Sequence, residues 1–182
     1  RVATDIAHQL GFVDADLRDL RRAALLHDLG KLGVSNLILD KPGTLTDEEF
    51  GAMRRHTDLT HTMLNRVGCF RHFASEAAAH HERLDGRGYH LGLRARDLPM
   101  AARVLGVADI CDALLSSRPY RAGLPAERAL KVMRRDVGTA LDPDCYAALR
   151  VVLAHQMEAD QQKAVPAVFV VPALAEDYAQ AA

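Results

Sequence analysis

Histidines and carboxylates recur here in a pattern that could hold metal ions: His27 beside Asp28, then His56, the adjacent His80 and His81, and Asp109. Imidazole nitrogen and carboxylate oxygen are ligands for zinc, iron or manganese, and a carboxylate with two oxygens can bridge a pair of ions. Adjacent residues on a helix point about 100° apart, so a His-Asp or His-His pair serves two neighbouring ions better than one. Lys31 stands four residues after His27. If the helical turn persists it shares that face, where a cation would meet an anionic substrate.

Taken singly, each signal is ordinary. His-Asp and His-His pairs are common on helix surfaces, and the glycines of DGRG, Gly86 and Gly88, suit a plain turn. Asp109 is more pointed, because Val107, Ala108, Ile110 and Cys111 around it are apolar, and a buried carboxylate there needs a partner. Arg118 and Arg121 in RPYR fit either a solvated turn or a bidentate phosphate clamp. His8, His61, His72 and His155 lack such context and read as surface or satisfied side chains.

The elements that must bring these residues together are helical. DADLRDLRRAALLHDL, from Asp14 to Leu29, spaces its apolar residues as a helix does, with Gly30 as a natural stop. Thr46 followed by Glu49 is a capping-box signature for a helix running to about Val67 and carrying His56. FRHFASEAAAHHE is expected to deliver His80 and His81 at the C-terminal end of a short helix, ahead of a Gly-rich loop. Pro99 suits the first turn of MAARVLGVADICDALL, which holds Asp109 and Asp112, while Pro125 and Pro143 open two further helices. Strand-like patterning is confined to AVPAVFVVPAL near the C-terminus, which fits an extended tail. The expected fold is an all-α bundle with a polar cluster inside it.

A chain of 182 residues, 49% of them apolar, is long enough for one sizeable core. Its formal net charge of −1, with both signs interspersed, gives no footprint for a nucleic-acid polymer or a membrane surface. No apolar run approaches the roughly 20 residues that span a bilayer. Three cysteines, Cys69, Cys111 and Cys145, sit far apart in apolar segments and read as reduced core thiols of a cytoplasmic protein. The chain opens on Arg1 in RVATDIAHQLGF, in mid-pattern, as though a helix had been cut from a longer protein.

The order of these blocks resembles a known family. LLHDLGKLGV (25–34), RRH (54–56), HHERLDGRGY (80–89), VADICDAL (107–114), SRPYR (117–121) and GTALDP (138–143) are similar to the successive blocks of HD-GYP domains. The likeness implies an HD-type helical domain over residues 1–157 and a tail over 158–182. It implies hydrolysis of the bacterial second messenger cyclic di-GMP to pGpG or GMP by a metal-bridging hydroxide. It further implies two divalent ions, with a third in some members, iron or manganese being the expected metals. The ligands would be His27, Asp28, His56, His80, His81 and Asp109, with Asp28 bridging. Lys31 would hold a phosphate beside the scissile bond. Arg118 and Arg121 would contact substrate, Gly86, Gly88 and Tyr89 would form the signature loop, and Asp112 would be a polar neighbour behind the ligands.

Two positions depart from the family pattern. His90 stands where the family has proline, which frees φ and restores a backbone N–H. The helix from which three-metal members take further ligands would precede Arg1. The rival expectations are a cyclic dinucleotide sensor, a surface that docks a diguanylate cyclase, and an HD hydrolase of another nucleotide. A homodimer through the apolar AVFVV tail is a further expectation.

Overall fold

The computed structural model describes residues 1–89, 91–117 and 122–164, with side chains through residue 162. In chain order its helices are α1 (Val2–Gln9), α2 (Asp14–Leu26), α3 (Asn36–Leu39), α4 (Asp47–Asn65), α5 (Ala74–Ala78), α6 (Met100–Leu115), α7 (Ala126–Met133) and α8 (Pro143–Ala164). The described residues hold no strand, only the isolated bridges Asp85 to Arg94 and Val137 to Leu141. The all-α expectation therefore stands.

α6 is the central element. Ala102, Val104, Leu105, Gly106, Val107, Ala108 and Cys111 are all buried, too many for one stripe, so the helix is enclosed on most sides. α1, α5, α7 and α8 pack on it. Ile6, Leu20, Leu64, Met133 and Leu149 fill the space between them with almost no exposure. α8 begins at a double device: Pro143 sets the first helical φ, and Asp142 Oδ1 accepts from the N–H groups of Asp144 and Cys145. Arg103 Nη1 fixes that buried aspartate from α6 at 3.0 Å. α8 runs through the expected boundary at residue 157 as far as Ala164, and the AVPAVFVVPAL segment after that alanine lies outside the described residues.

The Thr46 capping box is present. Thr46 Oγ1 accepts from Glu49 N at 3.3 Å, and Glu49 Oε2 accepts from Thr46 N at 2.7 Å. This starts α4 in the register that turns His56, Thr57, Thr60 and Leu64 inward.

Two expectations need correction. α2 ends at Leu26 rather than at Leu29, and a 3₁₀ turn over Leu29–Gly33 follows. The cause is docking: Gly30 N–H donates to Thr60 Oγ1 at 2.8 Å instead of to its own helix, and any side chain at Gly30 would collide with the His56 carbonyl. Cys111 and Cys145 are buried free thiols, but Cys69 is exposed, because the apolar residues beside it lie at the corner that follows α4. No helix among the described residues is long and apolar enough to cross a membrane.

Candidate metal centre

Four pieces of backbone aim at one point. His27 and Asp28 leave the end of α2, His56 projects from the middle of α4, His80 and His81 follow α5, and Asp109 projects from α6. The 3₁₀ turn after Asp28 is clamped to α4 through Thr60, whose hydroxyl donates to the His27 carbonyl at 2.9 Å while accepting from Gly30 N. Gly106 lets α6 lie close to the His80 carbonyl, which a Cβ would meet at 2.8 Å.

The resulting distances are short. Asp28 Oδ1 lies 3.4 Å from His56 Nε2 and 3.8 Å from His80 Nε2. Its other oxygen, Oδ2, lies 3.4 Å from His27 Nε2 and 2.5 Å from Lys31 Nζ. His27 Nε2 is 3.6 Å from Asp109 Oδ1, and the His80 and His81 rings are 4.1 Å apart at their centroids. Two ligand groups share His80, one made with His56 and His81, the other with His27 and Asp28, and within each the ligand atoms lie within 4.8 Å of one another.

The protonation pattern suits a cation. Nδ1 of His27, His56 and His80 faces the carbonyl oxygen of Ala24, Met53 and Ala77, at 2.9, 2.7 and 2.7 Å. A carbonyl only accepts, so each Nδ1 carries a proton, and His56 and His80, kept neutral by burial, each offer an Nε2 lone pair inward. His56 Nε2 and His80 Nε2 then face each other as two acceptors at 3.4 Å, an arrangement that needs a positive charge between them. Asp28 Oδ1 is buried and has no hydrogen-bond partner. A divalent ion would satisfy all of these lone pairs, and the imidazole and carboxylate set is of the right chemistry to hold one.

Burial is the main force on the imidazoles. It lowers the His56 pKa, takes His80 down to about 3 with help from the neighbouring His81 and His27, and takes His81 down to about 4. For Asp109, burial alone would raise the carboxyl, but His27, 3.6 Å away, and the surrounding imidazoles hold it at about 2. Asp28 is likewise held below its usual range, against its burial, by Lys31 and His27. Burial opposes the charge on His27 too, yet Asp109 and Asp28 outweigh it and raise its pKa.

The signature loop folds against this cluster. Tyr89 stacks on His81 with centroids 4.8 Å apart, and its N–H donates to the His81 carbonyl. Burial pushes the Tyr89 hydroxyl up to about 12. Gly86 turns the chain at φ +76°. Gly88 lies so close to the preceding strand of backbone that a Cβ would meet Arg83 N at 2.5 Å and His81 O at 2.6 Å. Asp112 stands exposed one turn beyond Asp109, on a cavity of about 200 Å³ shared with His27, Asp109 and Arg1. His90, Arg118 and Arg121 lie outside the described residues. Of the other histidines, His72 pairs with Asp19 at 2.9 Å, and His8 and His155 are exposed.

Two groups escaped the sequence reading. Glu82, directly after the histidine pair, is 7% exposed, and its carboxylate accepts from Leu91 N, Gly92 N and Leu93 N at 2.7, 3.1 and 2.9 Å. Its only sequence signal is an acid beside ligands. Arg54 is the other, its guanidinium carbon 4.7 Å over the Phe50 ring and 5.0 Å over Tyr89.

Comparison with known proteins points one way. The HD domain family matches residues 1–145. The 3'3'-cGAMP-specific phosphodiesterase 3 of Vibrio cholerae is 50% identical over 153 residues, covering 84% of this chain and 33% of that protein. The cyclic di-GMP phosphodiesterase response regulator RpfG of Xanthomonas campestris pv. campestris is 40% identical over 155 residues, covering 81% and 40%. The structure of an HDG"Y"P protein from Bdellovibrio bacteriovorus has the same fold, with a TM-score of 0.70 at 24% identity over 84% of this chain and 49% of that one. The chain thus spans 33% to 40% of the length of these two curated relatives.

Proposed function

The chain belongs to the HD domain family, in its HD-GYP branch, and from that premise we propose that it is a metal-dependent phosphodiesterase that cuts a guanine-containing cyclic dinucleotide. Two divalent ions, iron or manganese, are the proposed complement, and His27, Asp28, His56, His80, His81 and Asp109 would hold them, Asp28 offering a carboxylate oxygen to each side of the cluster. When bound, such ions supply Lewis acidity toward the phosphate and an activated water at neutral pH. The observation that carries the reading is the buried Asp28 Oδ1 with no partner, between His56 Nε2 and His80 Nε2. A carboxylate oxygen so desolvated is costly without a cation.

The chain's own residues have separable tasks. The Ala24, Met53 and Ala77 carbonyls fix the ring orientation of His27, His56 and His80, and burial keeps His56 and His80 neutral before a metal arrives. Lys31, at 2.5 Å from Asp28 Oδ2, keeps a positive charge beside the scissile phosphate, where it offsets the charge that develops as the bond breaks. Tyr89 and the backbone of Gly88 cover the His81 side, and Gly86 turns the chain that carries them. Arg118 and Arg121 are proposed substrate contacts, and Asp112 a polar neighbour of the ligands. Cyclic di-GMP and 3'3'-cGAMP are both proposed substrates, because relatives named for each align over about four fifths of the chain. The products would be linear dinucleotides or mononucleotides. A regulatory input domain is proposed from the response-regulator relative.

The test is protein loaded without oxygen with ferrous or manganous ion and incubated with cyclic di-GMP, 3'3'-cGAMP, cyclic di-AMP and GMP, beside Asp28→Asn. The proposal expects cleavage of one or both guanine-containing cyclic dinucleotides, lost in the variant. Absence of cleavage at full metal occupancy, or equal cleavage by Asp28→Asn, overturns it, and tight binding without cleavage would make the domain a sensor.

A further inference from the structure

Arg54 sits two residues before His56 on α4, exposed, yet its guanidinium is held in place. Its carbon lies over the Phe50 ring from the same helix and over the Tyr89 ring from the signature loop, at 4.7 and 5.0 Å. Stacking of this kind occupies the flat faces of a guanidinium and leaves its five N–H donors free at the edge. Among the described residues no carboxylate lies within 4.0 Å of it. The group is therefore ordered, positively charged and without an anionic partner, which are the properties of a phosphate receptor.

Its place relative to the metal ligands says which phosphate. The Tyr89 ring touches both groups, 5.0 Å from the Arg54 guanidinium carbon and 4.8 Å from the His81 ring. Arg54 thus meets the ligand cluster through Tyr89, beside the ligands and not among them. A cyclic dinucleotide carries two phosphodiesters. Building on the function proposed above, we propose that Arg54 binds the phosphodiester that is not being cut, and that Tyr89 and Phe50 position it to do so. The aromatic grip links substrate binding to the closed loop, since Tyr89 belongs to the loop and Phe50 to the helix that carries His56.

The experiment uses metal-loaded protein titrated by calorimetry with the hydrolysis-resistant bisphosphorothioates of cyclic di-GMP and 3'3'-cGAMP, and with GMP, which has a single phosphate. Arg54→Ala is expected to weaken both dinucleotide analogues by at least about tenfold, as loss of charge-assisted hydrogen bonds does. Arg54→Lys should weaken them less, and Phe50→Leu, which keeps the arginine but removes one ring, should fall between wild type and Arg54→Ala. The Arg54→Ala protein should also lose part of the ionic-strength dependence of binding, at unchanged metal content and melting temperature. GMP affinity should be the same in wild type and variant. A change below twofold for the dinucleotides, an equal loss for GMP, or no binding of either analogue by wild type overturns the assignment. Arg54-dependent binding of analogues whose parent dinucleotides are not cut sinks the phosphodiesterase reading and leaves Arg54 as a phosphate receptor.

Discussion

Glu82→Gln isolates the contact between the histidine pair and the signature loop. One carboxylate oxygen, Oε1, accepts from Leu91 N and Gly92 N, and Oε2 accepts from Leu93 N. Glutamine keeps one acceptor and turns the other into a donor that faces an N–H. Losing one bond to a buried charged acceptor costs about 1.5–3 kcal/mol. The surviving bonds lose their charge assistance, about half their strength. The sum is roughly 3 kcal/mol, which corresponds to a fall in melting temperature of about 6–12 °C if the whole domain feels it. If only the loop opens, the amides of Leu91 and Leu93 should exchange with solvent on the order of 100-fold faster. The amide of Gly30, bonded to the Thr60 hydroxyl and not to Glu82, serves as the internal reference. Hydrogen exchange read by NMR separates these cases. If both loop amides change less than threefold and stability is unaltered, the carboxylate does not hold the loop, and the reasoning is wrong.

Three further outcomes follow from particular contacts. Thr60→Val removes the acceptor of Gly30 N–H and the donor to the His27 carbonyl, and should cost about 1–3 kcal/mol in urea denaturation; a loss under 0.5 kcal/mol would show that the turn is held by other means. Gly88→Ala places a Cβ against backbone at Glu82, Arg83 and His81, so the loop must swing away from His81; cyclic dinucleotide affinity should fall while metal content is kept, and unchanged affinity contradicts the loop's proposed part. In metal-free protein, burial lowers His80 to about 3 and His81 to about 4 from 6.5. The unfolded chain then binds protons at these sites first, so their stability contribution should be full above pH 6.5 and should fall as the pH drops toward 4, while His27, whose pKa is raised, contributes in the opposite direction. A urea midpoint that rises on acidification over that window would contradict the burial of these rings as neutral groups.

Local signals in the sequence read out faithfully where the physics is local. The Thr46 and Glu49 pair announces its own hydrogen bonds, and Pro99, Pro125 and Pro143 mark helix starts because φ is fixed at the residue itself. The candidate ligand types were legible too, but not their meeting: His56 and His80, 24 residues apart, come within 3.4 Å because α4 and α5 pack on each other, while Gly30 brings the end of α2 to α4 and Gly106 brings α6 to the His80 carbonyl. The same docking cut α2 short, which periodicity alone could not register. Glu82 was opaque because its partners are backbone N–H groups, which have no residue signature. Arg54 was opaque because one of its two rings arrives on a loop from 35 residues away. Cys69 misled because apolar neighbours imply burial on a helix and not at a corner.

The central claim is that six side chains from four segments form one metal centre of at least two ions, and anomalous scattering from a crystal grown with the native metal tests it most directly. The account predicts two peaks about 3.5–4 Å apart, one among His56, His80 and His81, the other beside His27 and Asp109, with the Asp28 carboxylate between them. A fully occupied crystal with no peak there, or with a single peak that leaves Asp28 Oδ1 without a metal contact, would contradict it.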